Sequence, residues 1–221
     1  MPLPYADRGA AGRALAASLA GLAGEPGLIV LGLPRGGVPV AAEVAAALEA
    51  PLDVFVVRKL GLPVQPELAM GAIASGGVRV LNIDVLEAAG VPAAVLEQVT
   101  ERERAELEAR ERRYRGDRPP LRLEGATAIL VDDGLATGAS MRAAVDAARA
   151  QGAARVVAAA PVASPATTAG FADAGIELVV AAAPAGLHAV GAAYLDFRPV
   201  PDEQVVELLV PDRTRRVTLP P

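Results

Sequence analysis

The 221-residue chain contains no cysteine and no tryptophan, one histidine, and only 3% aromatic residues. Without cysteine there are no disulfides, no thiolate nucleophile and no cysteine-based zinc site, although this does not fix the compartment. A lone histidine, His188, cannot form a metal cluster; a hydrogen-bonded structural role is expected for it rather than a ligand contact. So few aromatics leave no platform for stacking single-stranded bases. Excess positive charge is also missing. With 21 basic and 26 acidic residues the net charge is −5, which argues against general affinity for nucleic acid.

A membrane-spanning run is lacking too. Leu178 to Leu195 carries no formal charge, but alanine dominates it and Pro184, Gly186 and His188 interrupt it, so strand plus loop is expected. Ala14 to Gly24 follows Arg8 and Arg13, loosely like a leader. Asp7 lies among those arginines and an apolar run begins at Leu28, so a helix over Asp7 to Leu22 is the better reading. No membrane association is expected, and the cytoplasm is the default compartment. Repeats and low-complexity linkers are absent.

What the chain does have is short apolar runs alternating with helical periodicity. Leu28 to Leu31, Leu52 to Val57, Ala128 to Val131, Arg155 to Ala160 and Glu177 to Ala182 are expected strands. Val38 to Leu48, the stretch after Ser140, and Pro165 to Ala174 are expected helices. This β-α-β alternation predicts an α/β protein with a doubly wound, mainly parallel sheet and flanking helices. Val91 to Arg115 should form a long, solvated helix, with favourable pairs Glu106/Arg110, Glu108/Arg112 and Glu111/Arg115. A short helix is expected at Pro201 to Leu209.

The most informative stretch is A-I-L-V-D-D-G-L-A-T-G-A-S, Ala128 to Ser140. A buried strand ends in two carboxylates, Asp132 and Asp133, and a Gly/Thr/Ser loop then leads into a helix. Open α/β sheets bind ligands at such strand ends. Gly134 and Gly138 allow close backbone approach. Amides from Thr137 to Ser140 at a helix N-terminus suit a phosphate, and the two carboxylates suit a vicinal diol or a water-bound Mg²⁺. A phosphate and a diol a few ångströms apart describe a ribose 5-phosphate. No lysine follows Gly138, so the ATP-binding P-loop is absent. G-x-G-x-x-G after a first strand is absent as well, which removes a dinucleotide-binding oxidoreductase.

V-D-D-G-L-A-T-G-A-S resembles the phosphoribosyl pyrophosphate (PRPP) motif of the type I phosphoribosyltransferases. The resemblance implies a PRPP site at Asp132, Asp133, Gly134, Leu135, Ala136, Thr137, Gly138, Ala139 and Ser140. It also implies a pyrophosphate loop after the first core strand, matched here by Arg35, Gly36 and Gly37. Arg58-Lys59 is similar to the R-K that opens the family's flexible catalytic loop. Gly61, Pro63, Pro66, Gly71, Gly76 and Gly77 fit such a loop, although Ala69 to Ala74 can also be read as a short strand pairing with Val78 to Leu81. Glu67 within it receives no role.

By the same resemblance the core covers about 28–182, and a hood over the acceptor comes from about 183–221. V-G-A-A-Y-L-D-F is weakly similar to a base-pocket segment of purine salvage members, which places Tyr194, Asp196 and Phe197 near the base. The expected activity is transfer of ribose 5-phosphate from PRPP to a nucleobase-like nitrogen acceptor, with release of pyrophosphate. Arg58, Lys59, Asp132 and Asp133 are the catalytic candidates. Mg²⁺ is expected on the diphosphate, reaching Asp132 and Asp133 at most through water. Family members acting on 6-oxopurines carry an Asp before the Thr-Gly; here that position is Ala136. A homodimer is common in the family. The competing reading is a non-catalytic PRPP sensor, but no DNA-binding extension is visible.

Overall fold

The computed structural model describes residues 3–210, except the Glu67 side chain. Its centre is a five-stranded sheet in the order β2-β1-β6-β7-β8, all parallel. The strands are β1 (Leu28–Gly32), β2 (Leu52–Val54), β6 (Thr127–Val131), β7 (Arg155–Val162) and β8 (Leu178–Ala182). Every residue of β6 is buried, as its unbroken apolar run requires of a strand covered on both faces. Ile129 and Val131 pack among α1 (Arg8–Leu19) and α2 (Gly37–Leu48), alongside Leu15, Leu19, Val40 and Val44. Ala128 and Leu130 face the other way, onto Met141 and Val145 of α5 (Ala139–Ala150) and Phe171 of α6 (Pro165–Asp173). The alternation of one strand thus supplies both cores of a doubly wound sheet.

A second, antiparallel sheet contains β3 (Val57–Leu62), β4 (Gln65–Ala74) and β5 (Val78–Leu81), in that order. One face, with Leu60, Leu62, Met70 and Ile73, packs on α4 (Ala93–Arg115). The other, through Val57, Ala74 and Val80, joins the core around α5. A short helix, α3 (Ile83–Ala88), is capped by Asn82, whose side chain accepts from the Val85 amide. Near the end, α7 (Asp202–Leu209) lies against α4 and α2.

Three expectations need correction here. Leu52 to Val57 is not one strand. Phe55 still donates its amide to Gly32, but the Val56 amide turns to the Ser75 hydroxyl at 2.9 Å, and the chain passes from one sheet to the other. Secondly, residues 58–77 are not an irregular loop but a hairpin and the turn after it. Pro66 is tolerated because β5 pairs β4 only over Gly71 to Ala74, which leaves Pro66 beside an open edge. Gly61 sits where the β3–β4 register shifts, so close to Pro66 that a Cβ would meet its carbonyl oxygen at 2.5 Å. The strand read at Ala69 to Ala74 is present, paired with β5 as expected.

Thirdly, of the three ion pairs expected along α4, only Glu108–Arg112 forms among the described residues, at 3.5 Å. Arg115 turns instead to Asp53 of β2 and is nearly buried there. A carboxylate fixed on a strand outcompetes one on a mobile helical side chain, because less ordering entropy is lost.

Candidate active site

The site is built where β1 and β6 end side by side. The Leu33 amide, just past β1, donates to Val131 at the end of β6 (2.8 Å), so the two outgoing loops leave in register. The first loop carries Pro34 to Gly37, with a cis peptide between Pro34 and Arg35. Its glycines are dictated by contact. A Cβ on Gly37 would sit 2.3 Å from the Val131 carbonyl oxygen, and one on Gly36 would sit 2.0 Å from Asp133 Oδ2. No side chain fits at either place.

The second loop begins with the acidic pair. Asp132 accepts the amide of Asp133 on Oδ1 at 2.9 Å. Burial, reinforced by the neighbouring Asp133, pushes the Asp132 carboxyl up to about 8. Burial raises Asp133 as well, against the opposing pull of Arg8. Arg8 Nε and Nη2 both approach Asp133 Oδ2, at 2.9 and 2.8 Å.

Beyond the pair, Leu135 anchors the loop: its side chain is buried and its amide donates to Val162 at 2.9 Å. The Ala136 carbonyl accepts from Thr167 Oγ1 at 2.6 Å, tying the loop to α6. Gly138 adopts φ +73°, and a Cβ there would also strike Phe171. Ala136, Thr137, Ala139 and Ser140 are exposed around the N-terminus of α5. The amides of Ala136, Thr137 and Gly138 donate to no acceptor among the described residues. Exposed, unpaired amides at a helix start can hold a phosphate.

Arg35 leaves the first loop half-exposed, 3.9 Å from Asp202 of α7. Arg58 and Lys59 are interior residues of β3 and open no loop. Arg58 is ion-paired with Glu103 of α4, whereas Lys59 has no hydrogen-bond or ionic partner among the described residues. Both line a cavity of about 350 Å³ with Arg102, Pro63 and Pro66. None of the lining residues comes from the acidic-pair loop, and among the described residues no hydrogen bond or ion pair joins Arg58 or Lys59 to Asp132 or Asp133.

The tail closes over the acidic pair from the far end of the chain. The Tyr5 amide donates to Ala193, and the Leu195 amide donates back to Tyr5. This places Tyr194 with its hydroxyl on the Asp133 carbonyl oxygen. Burial raises the Tyr194 phenol, so it stays protonated and remains a donor. Phe197 stacks on Tyr194 at 5.0 Å, and the Arg8 guanidinium lies 4.1 Å above the Phe197 ring. Asp196 turns outward to Arg198, whose hydrogen bonds lower its carboxyl to about 2. Of the tail residues expected near an acceptor, Tyr194 reaches the acidic pair, Phe197 packs on Tyr194 and Arg8, and Asp196 faces a 770 Å³ cleft between α1, α2 and α7.

His188 is exposed and has no hydrogen-bond partner among the described residues, contrary to the structural role expected of it. Residues 211–221, the end of the expected hood segment, lie outside the described residues. Sequence reasoning missed Arg8. Beside the helix cap Asp7 it looks like any solvated residue in a first turn, and no periodicity announces a partner 125 residues away.

A parallel sheet thus carries, at the end of one strand, an acidic pair with a glycine turn beside it and the unpaired amides of a helix start. The phosphoribosyl transferase domain model matches residues 5–170, and the chain belongs to that family. It is 50% identical over 212 residues to a Mycobacterium tuberculosis protein, recorded from two strains, whose name assigns it provisionally to the phosphoribosyl transferases. That match covers 96% of this chain and 47% of the relative, so the chain spans about half the length of the curated proteins it matches. Among solved structures, TT1426 from Thermus thermophilus is 46% identical, with a TM-score of 0.85. The match covers 94% of this chain and 98% of that one. Among the described residues, no helix is long and apolar enough to cross a membrane.

Proposed function

We propose that the protein transfers ribose 5-phosphate from PRPP to a nitrogen acceptor and releases pyrophosphate. The observation that carries this reading is the approach of Gly36 to Asp133. It sets a glycine turn, whose Arg35 and Gly36 amides have no acceptor among the described residues, directly against an acidic pair, and a third element, the start of α5, offers a second anion cradle. The loop at 136–140 takes the 5-phosphate, the acidic pair faces the ribose hydroxyls, and the loop at 35–37 takes the diphosphate. As the bond to C1 of the ribose lengthens, positive charge grows on the ring and negative charge on the leaving diphosphate. Lys59 meets that leaving charge when the hairpin carrying it approaches, and exclusion of water spares PRPP from hydrolysis.

The residues present fit a Mg²⁺ carried in by the substrate. Among the described residues no group of three acidic or histidine side chains could hold a metal unaided. Asp132 retains a carboxyl oxygen without a partner among the described residues, and in its ionised form it would accept from metal-bound water. Such a Mg²⁺ would supply charge neutralisation for the leaving group.

Two measurements test the reading. PRPP consumption with Mg²⁺ against a panel of nucleobases should show one acceptor turned over, with pyrophosphate formed in equal amount. Calorimetry should show PRPP and Mg²⁺ binding that the doubly substituted Asp132→Asn, Asp133→Asn protein has lost. Unchanged affinity in that variant would remove the ribose assignment.

A further inference from the structure

The two carboxylates of the acidic pair are not equivalent. Asp133 Oδ2 is engaged on two sides: by two nitrogens of Arg8, and by Gly36, which leaves no room even for a methyl group. Both side chains of the ion pair are close to buried, at 12% and 15% exposure. Arg8 is itself held, since Nη1 donates to the Arg198 carbonyl at 2.9 Å and its planar face covers Phe197. Phe197 stacks on Tyr194, and Tyr194 returns to the Asp133 carbonyl oxygen. Asp133, Arg8, Phe197 and Tyr194 therefore form a closed ring of contacts. The Asp132 carboxyl has nothing comparable; its one hydrogen bond among the described residues is from the next amide.

We propose that Arg8 is a positioning residue that commits Asp133 to fixing the 34–37 turn, which leaves Asp132 as the carboxylate offered to the ligand. Within the PRPP-site reading, on which this inference rests, the consequence is a division of labour. Asp132 contributes by contact. Asp133 contributes by holding the turn so that the Arg35 and Gly36 amides, which have no acceptor among the described residues, are left for an anion, and it does so only while Arg8 neutralises it. A guanidinium suits this task better than an ammonium, because its flat face stacks on Phe197 while two of its nitrogens reach one carboxylate.

Four substitutions, two pairwise combinations and two readouts test the assignment: Arg8→Met, which keeps bulk and removes charge; Arg8→Lys, which keeps charge; Asp133→Asn; and Asp132→Asn. In calorimetry with PRPP and Mg²⁺, Arg8→Met should weaken binding by about tenfold or more, and Arg8→Lys should recover most of that loss. Arg8→Met combined with Asp133→Asn should be no worse than the weaker binder of the two alone, whereas Arg8→Met combined with Asp132→Asn should multiply the losses. In the ligand-free protein, amide hydrogen exchange across Arg35 to Val38 should accelerate in Arg8→Met and stay unchanged in Asp132→Asn. Multiplying losses for Arg8 with Asp133, or unchanged exchange in Arg8→Met, would overturn the proposal. A wild-type protein that binds no PRPP would instead remove the site reading, and the exchange measurement would still decide the role of Arg8.

Discussion

Glu103 of α4 grips Arg58 of β3 through a single oxygen: Oε2 accepts from Nε at 2.9 Å and from Nη2, while Arg102 takes the other oxygen. The two residues of the R-K pair are thereby separated in function. Arg58 fastens the hairpin to α4. Lys59, the next residue along the strand, has no side-chain partner among the described residues. Lys59→Ala should therefore lower turnover more than PRPP affinity, because its charge matters most when the diphosphate departs. Arg58→Met should instead cost about 1–3 kcal/mol of stability, since it leaves Glu103 with a weakened partner set in a nearly buried place. Steady-state kinetics with thermal unfolding of both variants separates the two effects; a fully active Lys59→Ala protein would return Lys59 to an ordinary strand residue.

Gly36→Ala is expected to abolish PRPP binding. The added methyl would lie 2.0 Å from Asp133 Oδ2, so either the turn or the carboxylate must move. The control is Gly21→Ala, where nothing lies within 4 Å of the new atom. Calorimetry should show full binding for the control and none for Gly36→Ala. Unfolding should show a cost of about 1–3 kcal/mol for the latter, typical of an overpacked site.

Stability should fall with pH because of Asp132. Its carboxyl titrates at about 8 in the folded chain, against an ordinary value of 3.8. Between those values the folded state holds a proton that the unfolded state has released, so raising the pH favours unfolding across that window. Below about pH 4 both states are protonated and the penalty vanishes. Asp132→Asn removes the titration. In the absence of ligand the variant should melt several degrees above the wild type near pH 8.5, and most of that gap should be gone near pH 5. A pH-independent gap would place the cause elsewhere.

The acceptor prediction rests on Ala136. A methyl group can neither take nor give a proton, so the acid/base group that 6-oxopurine enzymes place before Thr-Gly is lacking at that position. Hypoxanthine and guanine should therefore be poor acceptors, with a different base or amine preferred. Product formation followed across a base panel checks this, and substantial turnover of hypoxanthine would reverse it. Asp196 would then be the residue to substitute next.

The parallel sheet was legible because its strands are buried on both faces and advertise themselves as uninterrupted apolar runs. The acidic pair and the Gly/Thr/Ser loop were legible because the whole arrangement is local, Ala128 to Ser140. The hairpin was not. Pro63, Pro66 and Gly61 signal a loop by composition, and only the open edge of β4 and the register shift at Gly61 make a strand tolerable there. The same limit hid the strand change at Phe55-Val56, which depends on the hydroxyl of Ser75, and the role of Arg8, which depends on a carboxylate from another part of the chain. Contacts set by tertiary neighbours leave no periodic trace.

The ring that joins Arg8, Asp133, Tyr194 and Phe197 also has a consequence for the order of events during synthesis. Arg8 emerges well before Asp133, and the aromatic residues only after both, yet all of them meet at one point. Helices α1 and α2 can pack locally as soon as they leave the ribosome, and the central strands can pair as they follow. The acidic pair stays uncovered until Tyr194 and Phe197 have been made. A nascent chain that already holds most of its sheet therefore still lacks the aromatic half of this ring, which is complete only once Phe197 has been made.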